Sequence, residues 1–206
     1  MNSMTLNKFE PSVENIKREW GDKNYPIWLL LNPKHPSVRH NIWTPILAEI
    51  QDKVYRKIQQ RIDTTQLYIR NAVCVGGIVP NTLNWWGTEV AEEIELFRNI
   101  VLEHKPKIII SFGAFPFEFL RRVYEIQPQK GPKYWGNSYL GDEFGSSIEN
   151  FDINKTNILP LIRRVILSPT YHDGNNYFGE NYFHYIGSKI AEKIIDHERN
   201  LNIWIE

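Results

Sequence analysis

The chain has 206 residues, of which 42% are hydrophobic and 13% aromatic, with seven Trp, and its 24 Lys+Arg balance 24 Asp+Glu. That is enough apolar material for one packed domain spanning 1–206 and argues against disorder. The zero balance removes a global field that would draw in polyanions, although not a small basic patch beside a site, and the lone Cys74 excludes a disulfide framework, a Cys-rich zinc site and a cysteine-ligated iron–sulfur cluster within one chain.

The polar first residues show no apolar signal-peptide core, and no run approaches the roughly 18 apolar residues of a membrane span. A cytoplasmic location, with no membrane partner, is the expectation. From Pro11-Ser12 onward, Val13, Ile16 and Trp20 have helical spacing that ends at Gly21, predicting a short amphipathic helix. Tyr25-Pro-Ile-Trp-Leu-Leu-Leu31 reads as the first strand. The loop after it, 32–41, holds Lys34, His35, Arg39 and His40 between two prolines, a density of titratable groups that points to function.

Thr44-Pro45 then opens a long helix whose Ile46, Ile50, Val54, Ile58 and Ile62 recur every fourth residue. Residues 66–75 alternate as a second strand and dissolve at Gly76-Gly77. A loop with Trp85 and Trp86 precedes a helix capped by Thr88, with Val90, Ile94, Phe97 and Val101 on its apolar face. Lys107-Ile-Ile-Ile-Ser-Phe-Gly-Ala114 is a β-branched run stopping at a glycine before the apolar run 115–124, the pattern of a fully buried strand turning sharply into its helix.

The stretch 127–157 is rich in Gly, Asn, Pro and aromatics and shows little period, so an irregular excursion is expected there. Arg164 to Leu167 reads as the fourth strand, ending in Ser168-Pro-Thr-Tyr-His172. Tyr182, Ile186, Ile190 and Ile194 define a last helix. Strands alternating with helices predict a three-layer α/β/α domain with a mainly parallel sheet. In such sheets ligands bind at the carboxyl ends of the strands, and each expected strand delivers polar groups there.

The order of those strand-end groups resembles the uracil-DNA glycosylase superfamily over roughly residues 25 to 195. Leu30-Leu31-Asn32-Pro33 is similar to the Gly-Ile-Asn-Pro-Gly of the mismatch-specific branch, and Arg39-His-Asn-Ile-Trp-Thr-Pro-Ile-Leu47 to that branch's Asn-Arg-Phe-Trp segment. Tyr68-Ile-Arg-Asn-Ala-Val73 resembles the strand that presents a base-reading Asn. Pro106-Lys-Ile-Ile-Ile-Ser-Phe-Gly-Ala114 resembles Pro-Lys-Val-Ile-Val-Ala-Leu-Gly, and Ser168-Pro-Thr-Tyr-His172 resembles Thr-Tyr-His-Pro-Ser. In two places the chain departs from the family: Leu30 replaces a glycine, and Asp173-Gly174 follows His172 where the family has Pro-Ser.

The resemblance implies a four-stranded parallel sheet between helices and hydrolysis of an N-glycosidic bond to a damaged or mismatched base, with DNA as partner and neither metal nor cofactor. Such chemistry takes the nucleotide out of the stack and builds oxocarbenium charge on the sugar. Asn32 would fix a water by hydrogen bonds, since an amide is no general base, and His172 would donate to the leaving base. Asn71 maps to the base reader, with a donor and an acceptor on one short arm, and Phe112 and Gly113 would complete the base site. Lys34, His35, Arg39, His40 and Ser168 would hold flanking phosphates, and Trp85, Trp86 or Trp135 could stack on a base.

Each residue also has a plainer reading: a turn Asn before proline, a strand-end cap, a surface histidine, a solvated charge run or a core Trp. Two further functions fit the pattern. One is a non-catalytic nucleic-acid- or nucleotide-binding module on the same fold; the other is an α/β enzyme on a small nucleoside, with 127–157 as its lid.

Overall fold

A computed structural model describes residues 19–31, 40–74, 88–163 and 181–205 of the chain. Along it run β1 (Glu19–Trp20), β2 (Ile27–Leu31), α1 (His40–Ile58), β3 (Tyr68–Asn71), α2 (Thr88–His104), β4 (Ile108–Phe112), α3 (Ala114–Val123), α4 (Asn137–Glu149), β5 (Asn157–Leu161) and α5 (Asn181–Asp196). The sheet order is β1-β3-β2-β4-β5. Strands β2 to β5 are parallel, while β1 pairs antiparallel with β3, so the sheet has five strands rather than the expected four.

Every residue of β2 and of β4 is buried, which is why both read as continuous apolar runs instead of alternating ones. Successive side chains enter different cores. Ile27, Leu29, Leu31, Ile69, Ile110, Phe112 and Leu161 pack with Ile46, Ile50 and Val54 of α1, Phe144 of α4, and Ile186, Ile190 and Ile194 of α5. Trp28, Leu30, Tyr68 and Ile109 pack instead with Val90, Ile94, Phe97 and Val101 of α2 and with Phe115, Phe119 and Val123 of α3. Helices thus cover both faces, giving three layers. From β2 the chain crosses to β3 by way of α1, then returns past β2 to β4 by way of α2. Opposite directions of travel with helices on opposite faces are what one crossover hand requires.

Four expectations change. α1 begins at His40 rather than at Thr44-Pro45, carries Pro45 inside it and ends at Ile58, because burying Trp43 against the core extends the helix upstream of the proline, while Ile62 leaves the helix to bridge Trp204. The helix expected from Pro11 does not extend to its last residues: Trp20 lies in β1 opposite Ile69, with its ring 5.8 Å from Trp43, and residues 11–18 lie outside the described residues. Unpaired backbone on the outer side of β3 and burial against Trp43 outweigh a helical spacing of three residues. The parallel partner of β4 is Asn157–Leu161, and Arg164 to Leu167 lies outside the described residues. Pro160 hides this strand from a sequence reading, because proline is excluded from central strands. It is tolerated at an edge: the Asn157 amide donates to Lys107 and the Leu161 carbonyl accepts from Gly113, so residue 160, of opposite parity, turns its missing N–H away from β4.

The fourth change is that the 127–157 excursion contains α4, a helix of 13 residues that includes Gly141 and Gly145. Each glycine costs about 1 kcal/mol in a helix, whereas burying Leu140 and Phe144 returns about 1.5–3 kcal/mol apiece, so packing decides. Before α4, the chain is held against α3 by the buried Glu118 carboxylate. It accepts from Arg122 Nε at 3.0 Å, from the Lys130 amide at 3.0 Å and from Trp135 Nε1 at 2.7 Å.

Helices α1 and α5 cross at Gly187, where an added Cβ would stand 2.4 Å from Glu49 Cβ and 3.3 Å from the Ile50 amide nitrogen. Alanine gains about 1 kcal/mol over glycine in a helix interior, but overpacking costs about 1–3 kcal/mol and dominates at a contact this short. Gly187→Ala is therefore expected to lower the urea unfolding midpoint with an unchanged m-value; a rise would show that the crossing relaxes freely.

Candidate functional site

Leu31, Asn71, Phe112 and Leu161 end the four parallel strands at one edge of the sheet. Leu31 is in register with Asn71, and the Ala72 amide donates to the Leu31 carbonyl at 2.8 Å. Phe112 is in register with Leu161. The strand order reverses between β2 and β4, and in open parallel sheets the ends of the strands at such a reversal are where ligands bind.

Gly113 makes the turn there. Its φ of 101° is open to glycine and costly for other residues, and it carries the chain from β4 directly into the first turn of α3. Its amide donates to the Leu161 carbonyl at 2.7 Å, and a Cβ at this position would meet Arg163 Cβ at 3.1 Å.

Of the expected base-binding residues, Asn71 alone brings an unpaired polar side-chain atom to this edge. It is 2% exposed, falls by strand alternation on the side of Ile69, and its Oδ1 accepts no hydrogen bond from any described residue. An unpaired buried acceptor costs about 1–3 kcal/mol, so an amide kept in this state calls for an explanation.

The Phe112 ring is packed in the core between the sheet and α1, and the Gly113 amide donates to the Leu161 carbonyl. Trp135 is buried, edge-on to Phe117 at 4.8 Å and hydrogen-bonded to Glu118, so it packs. Asn32, Lys34, His35, Arg39, Trp85, Trp86, Ser168, His172 and Asp173 lie outside the described residues. His40 opens α1.

A charged network behind Asn71 was not anticipated. Arg70 and Glu93 are each 2% exposed and form an ion pair through Nη2 and Oε2. The other carboxylate oxygen of Glu93 accepts from the Cys74 amide at 3.1 Å, and the guanidinium stands 5.0 Å from the Phe97 ring centroid. Arg70 Nη1 lies 4.0 Å from Glu19, whose carboxylate also accepts from the Tyr68 hydroxyl at 2.7 Å.

The pair thereby fixes both sides of Asn71: Arg70 precedes it, and the Cys74 amide ends the turn that follows. Its signal in the sequence was Arg70 itself, a cation inside a strand expected to be covered on both faces, which requires a buried partner. The fully buried Ser111 hydroxyl in β4 also has no hydrogen-bond partner among the described residues.

Burial perturbs the titrating groups here. It pushes up the Tyr68 hydroxyl, helped by the Glu19 carboxylate, and it pushes up the Cys74 thiol against the pull of Arg70. It also works to raise Glu19, but the Tyr68 hydroxyl, Lys23 and Arg70 together outweigh it and hold this carboxyl below its ordinary value.

These elements define an α/β protein with helices on both faces of a mostly parallel sheet whose strand order reverses between β2 and β4. No protein-family model matches the chain, and no curated protein matches it. Among the described residues no helix is long and apolar enough to cross a membrane, and no three His, Cys, Asp or Glu side chains group as metal ligands.

Removing one member of a buried ion pair costs about 3–5 kcal/mol, whereas replacing both with apolar residues is often near neutral. Glu93→Leu should lower stability by that amount, and Arg70→Met combined with Glu93→Leu should recover most of it, short of the Cys74 amide left unpaired. Chemical denaturation of the three variants checks this, and a double variant no better than the single would refute it.

Because Glu19 titrates lower in the folded chain, its contribution is present above the unfolded value of about 4.3 and fades as pH falls through the folded one. With its side chain 44% exposed, solvent screening keeps that contribution under about 1 kcal/mol. Stability measured between neutral pH and acid should fall less steeply in Glu19→Gln than in the wild type.

Proposed function

We propose that the chain is a nucleobase-recognising hydrolase of the DNA glycosylase type, with Asn71 reading the edge of a base brought to the carboxyl ends of β2 and β4. The observation that carries this reading is the Asn71 amide: buried, held from behind by the Arg70–Glu93 pair, and with a carbonyl oxygen that no described residue satisfies. A base edge offering one donor and one acceptor would complete it.

The reaction would break the N-glycosidic bond by positioning and electrostatics. The base must be flipped out of its stack, water added at the sugar, and the departing base stabilised as its negative charge grows. Asn32 is the residue next after Leu31, the register partner of Asn71, and its amide would orient that water. His172, beyond β5, would donate to the leaving base. Glu93 is no candidate for a general base, since Arg70 and the Cys74 amide occupy its two oxygens. That occupation is also the observation favouring the second reading, a module on the same fold that binds a base without cleaving its bond.

Oligonucleotides carrying uracil, hypoxanthine, xanthine, mismatched thymine or ethenocytosine, single- and double-stranded, distinguish the two. Excision should leave an abasic site in one of them. In Asn71→Ala the kcat/KM should drop about 5- to 150-fold, the equivalent of a bidentate base contact of about 1–3 kcal/mol, while thermal unfolding remains cooperative. Binding of one modified strand, lost in Asn71→Ala but without cleavage in the wild type, would replace the hydrolase with the module.

A further inference from the structure

We infer that the segment joining α3 to α4 is a stacking platform for single-stranded nucleic acid, with Tyr139 as the ring on which a base lies. The inference rests on the surface itself and extends the reading above by giving the strand that flanks a flipped base a place to run. The platform begins at the switch point: Phe117 is in the first turn of α3, directly after Gly113. From there a chain of rings leads outward, Phe117 to Trp135 at 4.8 Å, Trp135 to Tyr134 at 4.9 Å, and Tyr134 to Tyr139 at 4.8 Å.

The inner members are packing residues, buried and fixed through Glu118. The outer two are not. Tyr134 is 41% exposed and Tyr139 49% exposed, and their planes are within 17° of parallel. Large exposed rings normally either tuck one face against apolar surface or lie singly; here two are stacked on each other at the end of a rigid ladder.

Two lysines stand beside Tyr134. The Lys130 ammonium stands 4.6 Å from the Tyr134 ring centroid, and Lys133 is exposed beside it in the short helical turn Pro132–Tyr134. A phosphodiester strand supplies what this surface lacks, a planar ring to continue the stack and an anion for each ammonium. Asp142 and Glu143 follow one turn after Tyr139 on α4 and limit what charge can contribute, so stacking supplies most of the affinity. A neutral chain can bind nucleic acid in this way without a global positive field. A protein partner would be indifferent to the bases, and a duplex would keep its bases stacked away from the ring.

Fluorescence anisotropy of the full chain with labelled oligothymidylate, oligouridylate and an abasic strand of equal length tests the platform. Tyr139→Ala should weaken binding of whichever base-bearing strand the wild type prefers by about 5- to 150-fold, the range of one base–aromatic stack, and Tyr139→Trp should restore it. The abasic strand should bind weakly and equally to all three proteins. The salt slope should be shallow, on the order of −1 to −2 for two lysines.

Three results would overturn the inference: no binding of any base-bearing strand, abasic binding as tight as that of oligothymidylate, or a folded Tyr139→Ala protein that binds as the wild type does. Base excision that survives Tyr139→Ala with unchanged strand affinity would sink the platform and leave the hydrolase standing. Tyr139-dependent binding without excision of any base would do the reverse.

Discussion

A parallel sheet covered by helices on both faces leaves its central strands no surface on which to display polar chemistry. In β2 and β4 every side chain is buried, and all but Ser111 pack into one core or the other. Polar side chains that must meet a ligand are best placed where the strands stop, and the strand order reverses between β2 and β4 at that end. The turn at Gly113 carries the chain from this end directly into α3, and the 127–136 segment returns to the first turn of that helix through Trp135 on Phe117.

The same constraint explains why the buried Arg70–Glu93 pair is conspicuous. A guanidinium within β3 would be untenable in an apolar layer without a carboxylate, and α2 provides Glu93 from the layer above. An apolar pair of similar volume would pack there at little cost beyond the Cys74 amide left unpaired. Geometry is what the ionic pair adds, because Glu93 also takes the Cys74 amide and so pins the turn after Asn71. An amide whose neighbours on both sides are tied can remain oriented while its own oxygen is unpaired.

Much of this architecture was legible in the residues. The apolar run of β2, the β-branched run of β4 and the faces of α2 and α5 carry periodic signals and are buried as those signals imply, as are Ile46, Ile50 and Val54 of α1, while Ile58 is half-buried and Ile62 falls beyond the helix. Signals failed where tertiary contact overrode local preference: β1 was written as a helix end, β5 was masked by Pro160, and α4 by two glycines. The polar edge was legible only in part. Asn71 could be named because a strand ends at it, whereas Phe112 follows the same logic and proves to be core, since alternation places its ring on the α1 side. The Arg70–Glu93 pairing joins residues 23 apart in sequence on different layers, and no spacing rule reaches across such a gap.

Pro160 has a consequence beyond its place in β5. An open sheet edge is a template on which any passing extended segment can be copied, and its hazard grows with the number of free donors it offers. With residues 157, 159 and 161 turned toward β4, the outward face of this short strand keeps the amide of Ile158 and loses the next one to the proline ring. Among the described residues nothing pairs with the outer side of β5, and a visiting strand would find only half a ladder there, so the proline opposes growth of the sheet on that side.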